Sequence, residues 1–334
     1  MREAFTFDDV LLIPAYNHYE SRQHVDVSMT DRTGKLALKL PIMTANMDTV
    51  TESAMANFIA SKGGMGVLHR AMSVERNVEE FRRCQGQVFV SVGTSDDELQ
   101  RAEALRDAGA SYFVVDVAHG HARYVGRTLK RLRALLPEAC LMAGNVATYA
   151  GADYLASVGA DVIKVGIGPG SVCTTRIKTG HGVPQLTAIQ DCARCDRSIV
   201  ADGGIRYAGD VVKALAFGAD FVMIGGMLAG TGPTPGQPVQ EPSGRWVKQY
   251  RGMASREVAE EVHGGIAEWK TAEGVATTVP CRDDEDAILA DLIGGLRSGL
   301  TYAGSQTIKE LQRKLNYVTI TPSGWRESMP HKLL

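Results

Sequence analysis

Eight short apolar runs, separated by stretches of helical spacing, predict an α/β chain closed into a single (β/α)8 TIM barrel. The runs lie at 41–46, 65–69, 88–92, 112–116, 140–144, 161–165, 198–202 and 220–224. They are continuously apolar, with no alternation, which marks strands buried on both faces as in a parallel sheet. The stretches between them have helical periodicity, as in 96–107, and end in glycine stops at Gly109, Gly159 and Gly218. A doubly wound sheet is the rival architecture. Eight strands with no G-x-G-x-x-G after the first argue against it.

Length and composition bound the rest. The 334 residues allow one barrel-sized domain, taken here as 1–334. Residues 231–247, rich in Pro and Gly, read as an exposed excursion after the eighth strand, in the form of a small hairpin. Residues 254–280 read as a mobile active-site segment. With 36 Lys+Arg against 38 Asp+Glu the formal net charge is −2, so no basic field offers itself to nucleic acid. No apolar run reaches the roughly 18 residues of a membrane span, and the N-terminus lacks a signal-peptide core. Six cysteines without regular spacing fit reduced thiols, so a soluble cytoplasmic protein is expected.

The chemistry concentrates in Gly166-Ile-Gly-Pro-Gly-Ser-Val-Cys-Thr-Thr-Arg176, immediately after the sixth strand. Glycines and a proline hold this backbone in turns, and into them the sequence sets the thiol of Cys173 beside the hydroxyls of Thr174 and Thr175. A thiol on such a loop reads as a nucleophile. The other five cysteines sit in apolar or helical contexts and read as packing residues, the Cys192/Cys195 pair included.

Barrel enzymes place their sites at the carboxyl ends of the strands and often bind phosphate in the loops after strands seven and eight. Those loops are Asp202-Gly203-Gly204 and Gly225-Gly226. Backbone N–H groups at glycine pairs can approach an anion closely. A carboxylate beside them suits ribose hydroxyls, so the expected ligand is a nucleotide or sugar phosphate. His119-Gly-His121 at the end of the fourth strand offers two imidazoles, too few to argue a metal centre.

Together with Tyr250-Arg-Gly-Met-Ala-Ser255, Phe5-Thr-Phe-Asp-Asp-Val-Leu-Leu-Ile-Pro14 and Ala143-Gly-Asn-Val146, these motifs resemble the IMP dehydrogenase/GMP reductase family along nearly the whole chain. The resemblance implies a homotetrameric barrel acting on GMP or IMP with a nicotinamide cofactor. It implies that Cys173 attacks purine C2, with Thr175 and Glu273 handling protons. It assigns phosphate contacts to Ser171, Gly204, Gly225, Gly226 and Tyr250, the ribose diol to Asp202, and Gly203 to the substrate site as well. Gly252, Met253 and Lys270 fall near the base and phosphate. Asp116, Ala118, His119 and Asn145 fall at the cofactor, and the carbonyls of Gly166, Gly168 and Cys173 at a monovalent cation such as K+.

Two reactions share the family's scaffold: oxidation of IMP to XMP with NAD+, and reductive deamination of GMP to IMP with NADPH. The resemblance gives the dehydrogenase an Arg-Tyr pair on a long insertion after the position of Met253. Here 19 residues separate Met253 from Glu273 and include no such pair, while 264–274, Lys178-Thr-Gly180 and Gly294-Gly-Leu-Arg-Ser298 resemble the reductase. The expected enzyme is therefore an NADPH-dependent GMP reductase. Ala201-Asp-Gly-Gly-Ile-Arg206 and Leu228-Ala-Gly-Thr231 are closer to a dehydrogenase, which is kept as the alternative. A non-catalytic nucleotide sensor is a third reading. Only 18 residues lie between His69 and Val88, too few for the regulatory CBS pair of many family members.

Overall fold

All eight apolar runs form strands in the computed structural model, which describes residues 3–330. They are β1 (Ile42–Thr44), β2 (Gly66–Leu68), β3 (Val88–Val92), β4 (Tyr112–Asp116), β5 (Cys140–Val146), β6 (Val162–Val165), β7 (Ser198–Asp202) and β8 (Phe221–Ile224). Neighbours run parallel in the order β1-β8-β7-β6-β5-β4-β3-β2. The seam between β1 and β2 is closed by a parallel bridge at Met43 and Met65, where Thr44 N–H donates to Met65 and Met65 N–H to Ile42, both at 3.1 Å. The chain is thus a (β/α)8 barrel, and the rival doubly wound sheet is excluded.

Helices return the chain between strands, and their boundaries follow local chemistry. The Asp96–Asp107 helix opens with three acidic residues that complement its N-terminal dipole. Gly109, Gly159 and Gly218 lie at φ +103°, +111° and +112°, left-handed conformations that other residues adopt at a cost. Phe89, Phe113 and Phe221 from three strands are fully buried in the core.

Two additions frame the barrel mouth. Val239–Gln240, Trp246–Arg251 and Ala276–Pro280 make a three-stranded antiparallel sheet after β8. Residues 236–240 of its first hairpin are exposed, whereas Thr231 and Thr234 are buried and wrap the Lys248 ammonium: Nζ donates to the carbonyls of Thr231, Gly232 and Thr234 at 3.0, 3.3 and 2.8 Å. Between the second and third strands lies the Arg256–His263 helix, capped by Ser255 Oγ accepting from Val258 N–H. Val10–Leu12 pairs antiparallel with Tyr317–Thr319 and ties the two ends of the chain together.

Candidate active site

The sixth-strand loop crosses the carboxyl end of the barrel and lines a cavity of about 300 Å³. Cys173, Thr175, Ser171, Asp202, Gly203, Tyr250, Gly252, Met253 and Glu273 all reach this cavity, as do Asp116, Ala118, Asn145, Gly166 and Gly168. Gly166 and Gly168 hold φ of +151° and +87°, and neither has room for a side chain: a Cβ at Gly166 would lie 2.1 Å from the Asp202 carbonyl oxygen, and one at Gly168 2.4 Å from the Arg176 side chain. The Arg176 guanidinium stitches the loop, donating to the carbonyls of Ile167 (3.1 Å) and Val183 (2.6 Å).

Cys173 Sγ donates to Thr175 Oγ1 at 3.2 Å. The segment after the Arg256–His263 helix is fastened along this loop by backbone bonds: Thr174 N–H to Glu273 at 2.8 Å and Val275 N–H to Val172 at 3.0 Å. These bonds bring residue 273 alongside the Cys173 loop, a pairing no local pattern encodes. Thr175 and Glu273 also line a second cavity, of about 530 Å³, with Ala118, His119, His121, Thr148 and His181. The two cavities therefore share a wall made of Ala118, Ile167, Thr175 and Glu273.

The Gly225-Gly226 pair lies against two hydroxyls. Ser171 Oγ and Tyr250 Oη lie 2.9 Å apart, and burial pushes the Tyr250 phenol above its ordinary pKa. A Cβ on Gly226 would sit 3.1 Å from Ser171 Oγ and 3.3 Å from Tyr250 Oη; one on Gly225 would meet Ala45 at 3.2 Å. Gly203 and Gly204 adopt φ of +92° and +83° and pack on Pro169, with the buried Phe7 beneath Gly204. Hydroxyls and backbone donors around small residues make a chemically suitable anion cradle.

At the floor, Asp202 Oδ2 accepts from Asn145 Nδ2 (2.9 Å) and from Lys164 Nζ (2.8 Å), and the same ammonium reaches Asp116 Oδ1 at 2.8 Å. Burial disfavours charge on Lys164, but Asp116 and Asp202 outweigh it and hold the ammonium above the ordinary lysine range. Burial likewise works against ionised Asp116, and Lys164 prevails, holding that carboxyl below its usual range. Asn145 also donates to the Gly166 carbonyl at 2.7 Å, while its Oδ1 is buried with no partner among the described residues.

Lys270 is exposed, its Nζ 4.8 Å from the centroid of the Trp269 ring, and lines neither cavity. His119 and His121 stand with ring centroids 6.4 Å apart on the second cavity, and the described residues hold no group of three metal-ligating side chains. The sequence reading passed over Lys164, Arg70, Asn46 and Met47, which also line the first cavity. For Lys164 the signal was present: a cation in the middle of an apolar strand run.

Comparison with known proteins matches this geometry to a family. The model of the IMP dehydrogenase / GMP reductase domain matches residues 4–331. Inosine-5'-monophosphate dehydrogenase of Aquifex aeolicus is 33% identical, with 99% of this chain and 96% of that protein covered. GMP reductase 2 of Bos taurus is 39% identical over 94% of each chain. Among solved structures, inosine 5' monophosphate dehydrogenase from Legionella pneumophila is 69% identical, with a TM-score of 0.89, covering 96% of this chain and 100% of that one. A cysteine-to-alanine variant of GMP reductase from Trypanosoma brucei, in complex with guanosine 5'-monophosphate, is 28% identical with a TM-score of 0.94, covering 100% of this chain and 99% of that one. No helix among the described residues is long and apolar enough to cross a membrane. The chain belongs to the IMP dehydrogenase/GMP reductase family of oxidoreductases.

Proposed function

We infer that this chain is a GMP reductase, converting GMP and NADPH to IMP, ammonia and NADP+ through a covalent adduct on Cys173. The observation that carries this reading is the short 254–273 segment, docked by backbone bonds so that Glu273 and Thr175 share the wall between the two cavities. A carboxylate and a hydroxyl there suit delivery of a proton to a departing amino group.

In this mechanism the purine occupies the cavity of about 300 Å³ with its ribose on Asp202, and its phosphate reaches past Ser171, Gly203 and Tyr250, which line that cavity, to Gly204, Gly225 and Gly226 just outside its lining. Cys173 gives up its proton through Thr175 and attacks C2, and the amino group leaves as ammonia with a proton handed on by Thr175 and Glu273. The nicotinamide group fits the second cavity beside Ala118 and His119, and from there its ribose extends over the shared wall toward Asp116 and Asn145, which line the first cavity. That cofactor would supply the hydride that converts the thioimidate to IMP and expels the Cys173 thiolate, which takes up one proton from solvent to restore the thiol. The carbonyls of Gly166, Gly168 and Cys173 are oxygen donors suited to a monovalent cation such as K+, which would brace the loop. A homotetrameric, cytoplasmic enzyme is part of the same proposal.

IMP dehydrogenase is the second reading, favoured by the 69% identity to the Legionella pneumophila structure. The two are separated by assaying both substrate pairs on one preparation. A reductase consumes reduced dinucleotide with GMP and makes no XMP from IMP and NAD+; the reverse pattern overturns the proposal.

A further inference from the structure

Lys164 projects from a central strand of the barrel with a side chain 3% exposed, where an uncompensated ammonium is prohibitively costly. Its Nζ lies 2.8 Å from one oxygen of Asp116, at the end of β4, and 2.8 Å from one oxygen of Asp202, at the end of β7. The two carboxylates are therefore no further apart across the ammonium than twice that distance. Each keeps a second oxygen free of the ammonium, and both side chains line the first cavity. The neighbouring strand makes room for this arrangement: a Cβ on Gly144 would lie 2.6 Å from the Lys164 Cβ.

A charge needed only for packing would be paired once and away from the cavity. This one joins the two carboxylates read above as holding different ligands. We propose that Lys164 is a positioning residue that couples substrate and cofactor binding, holding Asp116 and Asp202 side by side so that each can accept hydroxyls from a different ribose. Lys164 touches neither ligand in this scheme, and two of the three N–H groups of its ammonium are taken by the two carboxylates. Without it, two carboxylates would face each other at close range, Asp202 left with the Asn145 amide and Asp116 with the Asn46 side chain and the more distant Arg70, and like-charge repulsion would turn them away from their ligands.

The proposal rests on the nucleotide-plus-dinucleotide reading of the site, and titration calorimetry on the full chain tests the two separately. GMP and NADPH are each titrated into wild type, Lys164→Met, Asp116→Asn and the Lys164→Met/Asp116→Asn double variant. Lys164→Met is expected to weaken both ligands by about tenfold or more. Removing the second carboxylate relieves the repulsion, so the double variant should recover GMP affinity to within about threefold of wild type while NADPH stays weak. A packing role for Lys164 would give no such rescue. The proposal is overturned if Lys164→Met binds both ligands as wild type does, or if the double variant is no better for GMP than the single, through lost affinity or lost folding. Wild type that binds neither GMP nor IMP would instead overturn the functional reading, and the proposal with it.

Discussion

Cys173 stands apart from the chain's other cysteines by its surroundings. It is half-buried on a cavity wall with a hydroxyl 3.2 Å away, whereas Cys140, Cys192 and Cys195 are buried. Burial pushes the Cys84 thiol up to about 12 and raises Cys140 and Cys192 as well, so at pH 8 these three are thiols, not thiolates. An alkylating reagent at that pH should therefore modify Cys173 and leave Cys84, Cys140 and Cys192 intact, and GMP should protect Cys173. Peptide mapping with and without GMP reads this directly; modification of Cys173 indifferent to GMP would count against a nucleotide above the thiol. Cys173→Ala should abolish turnover and retain GMP binding, whereas persistent turnover would rule out a covalent adduct. The thiol loop was legible in sequence because glycine spacing there is local. Lys164 was missed because one charged letter in an apolar run reads as a strand. The Asp48–Arg251 pair, at 2.6 Å, joins positions 203 apart in the chain, and no local pattern announces it.

At the scale of elements, the 252–275 segment is the part whose placement decides the chemistry. Gly274 packs backbone against backbone, and a Cβ there would lie 3.2 Å from Ser255 N and 3.3 Å from Gly252 Cα. Backbone atoms yield little, so Gly274→Ala should shift Glu273 and lower kcat by about tenfold or more, with a smaller change in GMP affinity. Steady-state kinetics beside calorimetry distinguishes this from a general loss of folding. The Arg256–His263 helix is clasped by Glu261, whose carboxylate accepts from Arg251 Nη2 at 2.6 Å. That hydrogen bond holds the Glu261 carboxyl below its ordinary range. Its contribution is then present above the unfolded pKa of about 4.3 and lost as pH falls through the folded value. Protease cutting within 254–272 should rise below about pH 4, and Glu261→Gln should show raised cutting already at pH 7. Cutting independent of pH and of the substitution would show the clasp to be idle. The strands were readable because parallel barrel strands are apolar on both faces. The three-stranded sheet was not fully readable, since its third strand, Ala276–Pro280, is mostly exposed and pairs directly with Trp246–Arg251 only after an intervening helix in the chain.

For the whole molecule, the barrel sets carboxyl ends from several strands around one mouth, and two cavities meet there at Thr175 and Glu273. The eight-strand count gave the closure and the mouth. The pairing of Val10–Leu12 with Tyr317–Thr319 was invisible, because its halves lie at opposite ends of the chain and neither is long enough to mark itself. Their junction bears on the site: the buried Lys213 donates to the Phe7 carbonyl at 2.7 Å, and Phe7 lies under Gly204. In the proposed reaction the assembled mouth sets the Cys173 thiol, Thr175, Glu273 and both cavities beside one another. The most direct measurement is the stoichiometry of products from GMP and NADPH: one ammonia and one IMP for each NADPH oxidised is the expected result. No oxidation of NADPH with GMP, with XMP forming from IMP and NAD+ on the same preparation, would contradict it.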